Sequence, residues 1–415
     1  METPVVESDV ITDRGHEGTA GQPTGVEWSR SGRHIRVGYF LFYAAIGSLM
    51  PFIALYYREL GFSGVQVGVL TALPSLGMAI LGPVSGLASD ALSIHRRLLC
   101  AALGLGGLIA IATTQISTFG PVLLLIGLLA FVSVPVAPLL DSYGMTISER
   151  VGQSYGGLRV WGSVGYSVSV VGVGWLMGDN VSTLLLGAHG AFLALALLAV
   201  FRLPSLGERR STPLFGGIGE MRKNRSFMLL LLVAYLISSG AAVMNIYLGI
   251  RLEDIGGTAT DVGVAFAVSA ASELPVIAFG AWFLRRMGAF RLVALAIVVY
   301  AVRFIGFSLI TVPEWLLPVQ ALHGLSYGAF LMASVTLAHH LAGREHAATA
   351  QALLTAMSFG FGSITGSLVG GALLDRIGTV GLFQGAAALM VFTLIVLLVG
   401  NRKVGLDRAP GLGHA

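Results

Sequence analysis

Five ionisable residues sit inside long apolar runs: Asp141, Arg159, Glu273, Arg303 and His323. A charge held in hydrocarbon is costly, so such residues mark substrate, ion or proton sites by default. Asp141 and Arg159 are opposite charges 18 residues apart, at the end of one run and the start of the next. An Arg fork offers several N–H donors to the oxygens of a solute, and a carboxylate accepts hydroxyl donors. The competing reading is a structural ion pair near an interface, with both charges snorkelling to water. Glu273 has no cation beside it in sequence. A desolvated carboxyl group holds its proton to higher pH, as a proton carrier must. The competing reading is a protonated acid that ties two helices. Arg303 and His323 fall on successive runs, about 12 and 10 Å from one membrane face at ~1.5 Å of rise per residue. His323 is expected either to relay a proton or to bridge those runs as a neutral ring. Tyr166 follows Arg159 by two helical turns and shares its face. Trp161, Tyr43, Asn245, Tyr247 and Gln351 complete the expected lining, and plain helix packing is the alternative for each.

The elements that must position these residues are membrane helices. Of 415 residues, 55% are hydrophobic and only 11% charged. That composition excludes a water-soluble globular protein and predicts a polytopic all-α membrane protein. Twelve apolar segments are read near 37–57, 65–88, 98–117, 120–146, 157–178, 182–202, 227–250, 260–284, 290–311, 316–338, 348–373 and 379–400. Residues 1–34 are polar and expected to be a disordered tail, without the apolar core of a signal peptide. The expected division is a bundle over 35–202, a linker over 203–226, a second bundle over 227–400 and a short tail over 401–415. Of 25 Lys and Arg, only Arg58, Arg251 and Arg376 fall in odd-numbered connections. By the positive-inside rule both termini and the linker are cytoplasmic, and the expected location is a plasma (inner) membrane. The net charge of +4 thus has a topogenic origin, and no nucleic-acid partner is expected. With Cys100 the single cysteine, no internal disulfide or cysteine metal cluster forms. No Ser-His-Asp set, phosphate loop or metal-ligand cluster is seen, so neither an enzyme nor a cofactor is expected. The abundance of Gly, at 56 residues, suits close helix packing.

The two halves echo each other. Gly86-Leu-Ala-Ser-Asp90 precedes His95-Arg96-Arg97, and Gly280 to Gly288 holds Arg285 and Arg286. Gly162-Ser163 recurs as Gly362-Ser363, and segments five and eleven exit at Asp179 and Asp375. Parallel six-helix repeats around a midplane site describe the major facilitator superfamily. Gly86 to Leu92 resembles that superfamily's loop motif between helices two and three, with Ser93 at its second Gly. Arg159-Val-Trp-Gly-Ser-Val-Gly-Tyr166 is similar to helix five, and Leu322-His323-Gly-Leu-Ser326 to helix ten, of the lactose permease and phenylpropionate permease branch of proton symporters. With Gly47-Ser-Leu-Met-Pro51-Phe52, the resemblance covers about residues 37 to 400.

The resemblance implies a twelve-helix, two-bundle fold and proton-coupled symport of a small organic solute: a sugar, a nucleoside or an aromatic acid. It implies that Asp141 and Arg159 bind solute, that Tyr166 stacks on it, and that Arg303 and His323 couple protons; Glu273, the acid left in the membrane interior of the second half, is expected to carry the proton. Ser326 stands where the branch has an acid one turn after its His. Asp90 with Arg96 and Arg97 is expected to latch the cytoplasmic side, against the plainer reading of a fixed helix-end charge cluster. Pro51, Pro74, Pro135, Pro138 and Pro275 interrupt helices and suit bending. A monomer in the lipid bilayer, with protons and one small solute as partners, is expected. Two rivals are kept: an exporter of drugs or metabolites on the same fold, and a non-transporting receptor. The absence of Pro from helix five favours import over export.

Overall fold

A computed structural model describes residues 25–92, 94–179, 181–204, 206 and 218–406, without the side chains of 25–27, 29, 83–92 and 344. Among the described residues every regular element is helical. Ten stretches are long and apolar enough to cross a membrane. They are α1 (Arg30–Glu59), α2 (Gly64–Gly82), α3 (His95–Thr113), α4 (Phe119–Val151), α5 (Tyr155–Met177), α7 (Arg225–Asp254), α8 (Ala259–Ala278), α9 (Ala289–Leu309), α10 (Pro313–Gly343) and the 60-residue stretch Glu345–Val404. The last bends at Gly378, whose φ of 65° is left-handed and suits a residue without Cβ. It therefore supplies two spans, α11 (345–377) and α12 (379–404). The shorter apolar helix Leu184–Val200 is α6. Twelve spans result, as the hydropathy pattern predicts.

Local chemistry sets the boundaries. Ser154 caps α5 by accepting from the Gly157 N–H. Asn224 caps α7 by accepting from the Phe227 N–H, and Thr258 with Asp261 forms a capping box on α8. Gly152 ends α4 in a left-handed turn. Pro51 and Pro135 coincide with breaks inside α1 and α4, because proline offers no N–H to the helix ladder.

Three local expectations change. Residues 25–34, assigned to a disordered tail, are helical and continue into α1. Trp28 is buried there beneath the Arg150 guanidinium, 4.6 Å from its ring centre. Residues 218–221 of the linker form a helical turn. Arg251 is not a loop cation but a buried part of α7. Its Nε donates to the Phe307 carbonyl at 2.9 Å and its Nη2 to the Ile310 carbonyl at 2.8 Å, capping the end of α9. The remaining tail expectation lies in 1–24 and 407–415, outside the described residues.

The halves repeat one packing scheme. Helix α1 packs on α5 and α6, and α3 on α6; α7 packs on the α11–α12 stretch, as does α9. The halves meet along α2–α11, α5–α8 and α1–α7. We call the side carrying the odd-numbered connections the odd face. Backbones touch near it: a Cβ on Gly68 would stand 2.5 Å from the Ser367 carbonyl oxygen, and one on Gly263 2.5 Å from that of Val170. Glycine at these seams lets helices approach without side chains between them. Towards the even face the halves part. Val170 and Val262 are 0% and 1% exposed, whereas Val160 and Leu274, on the even-face halves of the same two helices, are 45% and 56% exposed. The space between the halves is therefore shut at the odd face and open at the even face.

Candidate functional site

That space is a cavity of about 1000 Å3, walled by Tyr43, Arg159 and Tyr166 from the first half and Asn245, Glu273 and His323 from the second. Most of the remaining wall is aliphatic or aromatic, the usual make-up of a small-molecule site in which a few polar groups set orientation.

On the first wall, Arg159 rises from the first turns of α5 and lies along the helix. Its Cζ sits 4.0 Å from the ring centre of Tyr43 on α1, a cation–π distance. Gly162 makes room: a Cβ there would stand 2.6 Å from Arg159 Nη1 and 2.7 Å from the Tyr43 ring. Asp141 approaches Arg159 Nε only to 3.8 Å, too long for a charge-assisted hydrogen bond. Its Oδ1 instead accepts from the Tyr39 and Tyr155 hydroxyls, each at 2.9 Å. Asp141 does not line the cavity; Arg159 does. Among the described residues no protein acceptor takes a hydrogen bond from the Arg159 guanidinium. The wall thus presents an Arg fork with its donors free, steadied by an acid behind it.

On the second wall, Arg303 is 0% exposed and each of its three nitrogens has an acceptor. Nη2 donates to Gln320 Oε1 at 2.5 Å, Nη1 to Ser326 Oγ at 2.8 Å, and Nε to the Val319 carbonyl at 3.2 Å. Nη1 also meets His323 Nδ1 at 3.0 Å. A guanidinium has no acceptor, so Nδ1 supplies the lone pair and the ring proton resides on Nε2. Nε2 lies 3.1 Å from Glu273 Oε1. A directed chain follows: Arg303 donates to His323, and His323 donates to Glu273. The Tyr327 ring stacks on His323 at 5.4 Å. Residues Gly324–Gly328 form a π-helical turn, where the Gly324 N–H donates to Ser272 Oγ at 2.9 Å and a Cβ on Gly324 would strike the Ser272 carbonyl. Turns of this kind often accompany functional sites.

Other expected residues fall elsewhere. Trp161 is 43% exposed and does not line the cavity. Two residues along a helix turn about 200°, so it faces away from Arg159. The Tyr247 hydroxyl donates to the Ser367 carbonyl and Gln351 Nε2 to that of Val335, so both tie helices together instead of lining the space. Arg96 donates to the Leu203 carbonyl at 3.1 Å, and Arg97 is exposed. The Asp90 side chain, their expected latch partner, lies outside what the structure describes. Sequence reasoning overlooked Tyr39, Tyr155 and Gln320. The last had a signal: it precedes His323 by three residues in an apolar run and so shares its face.

The sequence profile of the MFS_1 like family matches residues 33–385. The chain belongs to the MFS_1 like family. The maltose permease of Geobacillus stearothermophilus is 30% identical over 370 residues, covering 88% of this chain and 93% of that protein. The probable 3-phenylpropionic acid transporter of Escherichia coli (strain K12) is 24% identical, covering 81% and 89%. The crystal structure of the nucleoside transporter NupG superposes with a TM-score of 0.80 at 17% identity, over 89% of this chain and 98% of that one; at that identity the likeness shows the fold. This MFS_1 like protein is a multi-pass membrane transporter with the major facilitator fold, and the two charged walls described above stand on opposite halves of that fold.

Proposed function

We propose that this transporter carries a small organic solute in symport with protons, by alternating access. One observation supports this most: the free Arg159 fork on one half faces the His323–Glu273 pair on the other across a single cavity. A solute held by both walls would draw the halves together. The solute classes considered are a sugar, a nucleoside and an aromatic acid. Likeness to a protein named maltose permease along nearly the whole chain puts a sugar first, its apolar face stacking on Tyr166 or Tyr43 and its oxygens on Arg159. Glu273 is the proposed proton carrier. When ionised it accepts the His323 Nε2–H; a proton arriving on it weakens that bond and releases the carboxyl group towards the solute. Arg303, held by four partners, keeps His323 a donor throughout. By the distribution of Lys and Arg, the even face and both termini are cytoplasmic, so the cavity opens inward.

The test uses proteoliposomes with an imposed pH gradient and labelled maltose, uridine or 3-phenylpropionate. Accumulation of one of them above its external concentration, abolished by a protonophore, is expected. Equal uptake with and without the gradient removes proton coupling; uptake of none of them removes the transport reading itself.

A further inference from the structure

Among the described residues His189, on α6, is the one histidine on the cavity wall besides His323. The residue is 6% exposed. Nδ1 lies 2.7 Å from the Ala45 carbonyl oxygen of α1. A carbonyl can only accept, so Nδ1 carries the proton and, in the neutral ring, Nε2 carries a bare lone pair. Among the described residues no acid pairs with the ring, and the apolar Ile126, Leu129 and Leu193 line the same cavity. Among the described residues no hydrogen-bond donor meets Nε2, and Nε2 is not one of the atoms sealed from solvent. The accessible edge of the ring is thus an unfilled acceptor opening on the cavity.

Tying α6 to α1 explains only half of this side chain. Ser169 makes the equivalent tie from α5, donating to the neighbouring Ala44 carbonyl at 2.7 Å, and it leaves no spare acceptor of this kind on the cavity. Water entering the cavity can donate to that acceptor, and a solute that displaces the water must replace its hydrogen bond. The position suits a solute contact. His189, Tyr43 and Arg159 line the same cavity, and the Tyr43 ring carries the Arg159 guanidinium. A solute with oxygens on Arg159 therefore shares its cavity with the His189 ring.

We propose that His189 is a substrate-contacting residue whose Nε2 accepts a hydrogen bond from a hydroxyl or N–H on the solute. Resting on the transport reading above, this narrows the solute to a hydroxylated ring, a sugar or nucleoside, over a plain aryl carboxylate. Arg159 supplies donors, and Glu273 and His189 supply acceptors; hydroxyl groups answer both, whereas a carboxylate answers only the first.

Diethyl pyrocarbonate acylates accessible, unprotonated histidine nitrogens and tests this on the purified full-length protein, read by peptide mass spectrometry. His189 is expected to label at neutral pH alongside His339 and His340, which are exposed. No label on His189 while those two react overturns the proposal. The solute transported in the uptake assay, of maltose, uridine and 3-phenylpropionate, is expected to slow labelling of His189 at least about fivefold without protecting His339 or His340. For that solute His189→Phe should raise KM about tenfold with kcat nearly unchanged, and His189→Gln, which keeps a donor and an acceptor, should restore most of the loss. Transport of maltose or uridine with no protection of His189, or preferred transport of 3-phenylpropionate, overturns this proposal and leaves the transport reading standing. Transport of none of the three overturns both.

Discussion

Arg159 and Arg303 show how the same residue type takes different work from its surroundings. Arg303 has an acceptor on each of its three nitrogens and is sealed from the cavity. Arg159 has a stacked ring, a distant acid and free donors. Replacing Arg159 with Lys keeps the charge but removes the planar fork. Binding of the transported solute, read by calorimetry on the purified protein, should weaken by about 1.5–3 kcal/mol, with the melting temperature unchanged. Unchanged affinity in a folded variant would return Arg159 to a structural role. Glu273→Gln retains an oxygen that accepts from His323 but can neither take up nor release a proton. Uphill, pH-driven accumulation should be lost, while exchange of labelled for unlabelled solute survives; accumulation at the wild-type level would place the proton elsewhere. The five ionisable residues of the two clusters were legible because charge in an apolar run is conspicuous. Their partners were not. Tyr39 and Tyr155 resemble any tyrosine in a membrane helix, and only tertiary packing shows that both hydroxyls converge on Asp141. That convergence is also why Asp141, expected on the solute, stands behind Arg159.

Helices were the easiest elements to read, since hydropathy alone marks a span. The misreadings came where composition hides a helix. Residues 25–34 are polar, yet their helix buries Trp28 and Ser31. Arg251 appeared to be a loop cation because its role, capping α9, depends on a helix more than fifty residues away. Glycine carries element-scale information that sequence shows only as abundance. Gly68 sits at a backbone-to-backbone seam, whereas a Cβ on Gly172 would meet nothing within 4 Å. Gly68→Ala must push α2 from α11 and should destabilise by about 1–3 kcal/mol. Gly172→Ala should be neutral or slightly stabilising, because alanine restricts the unfolded chain. Thermal unfolding of the two variants in one detergent checks this; equal melting temperatures would mean that the α2–α11 contact is not a tight seam.

At the scale of the whole molecule, alternating access requires each face to close with contacts that the opposite state breaks. Which face is shut could not be read from hydropathy, because it depends on how the two halves lean. At the odd face the Asp375 carboxylate, at the end of α11, accepts from the Gly64 N–H at 2.6 Å and the Val65 N–H at 3.0 Å. It caps α2 across the boundary between the halves, where otherwise unpaired N–H groups and the helix dipole favour an anion. The spacing Gly371 to Asp375 repeats that of Gly86 to Asp90. An exposed cap of this kind is worth about 1 kcal/mol, enough to change a two-state ratio about fivefold. Asp375→Ala should therefore enrich the state open at the odd face. Spin labels at Thr118 and Thr311, on odd-face connections of different halves, would report it by double electron–electron resonance as a larger long-distance population. Asp375→Asn, which keeps one acceptor oxygen but no charge, should fall between the variant and the wild type. Identical distance distributions in all three proteins would show that the glycine seams alone hold the odd face shut.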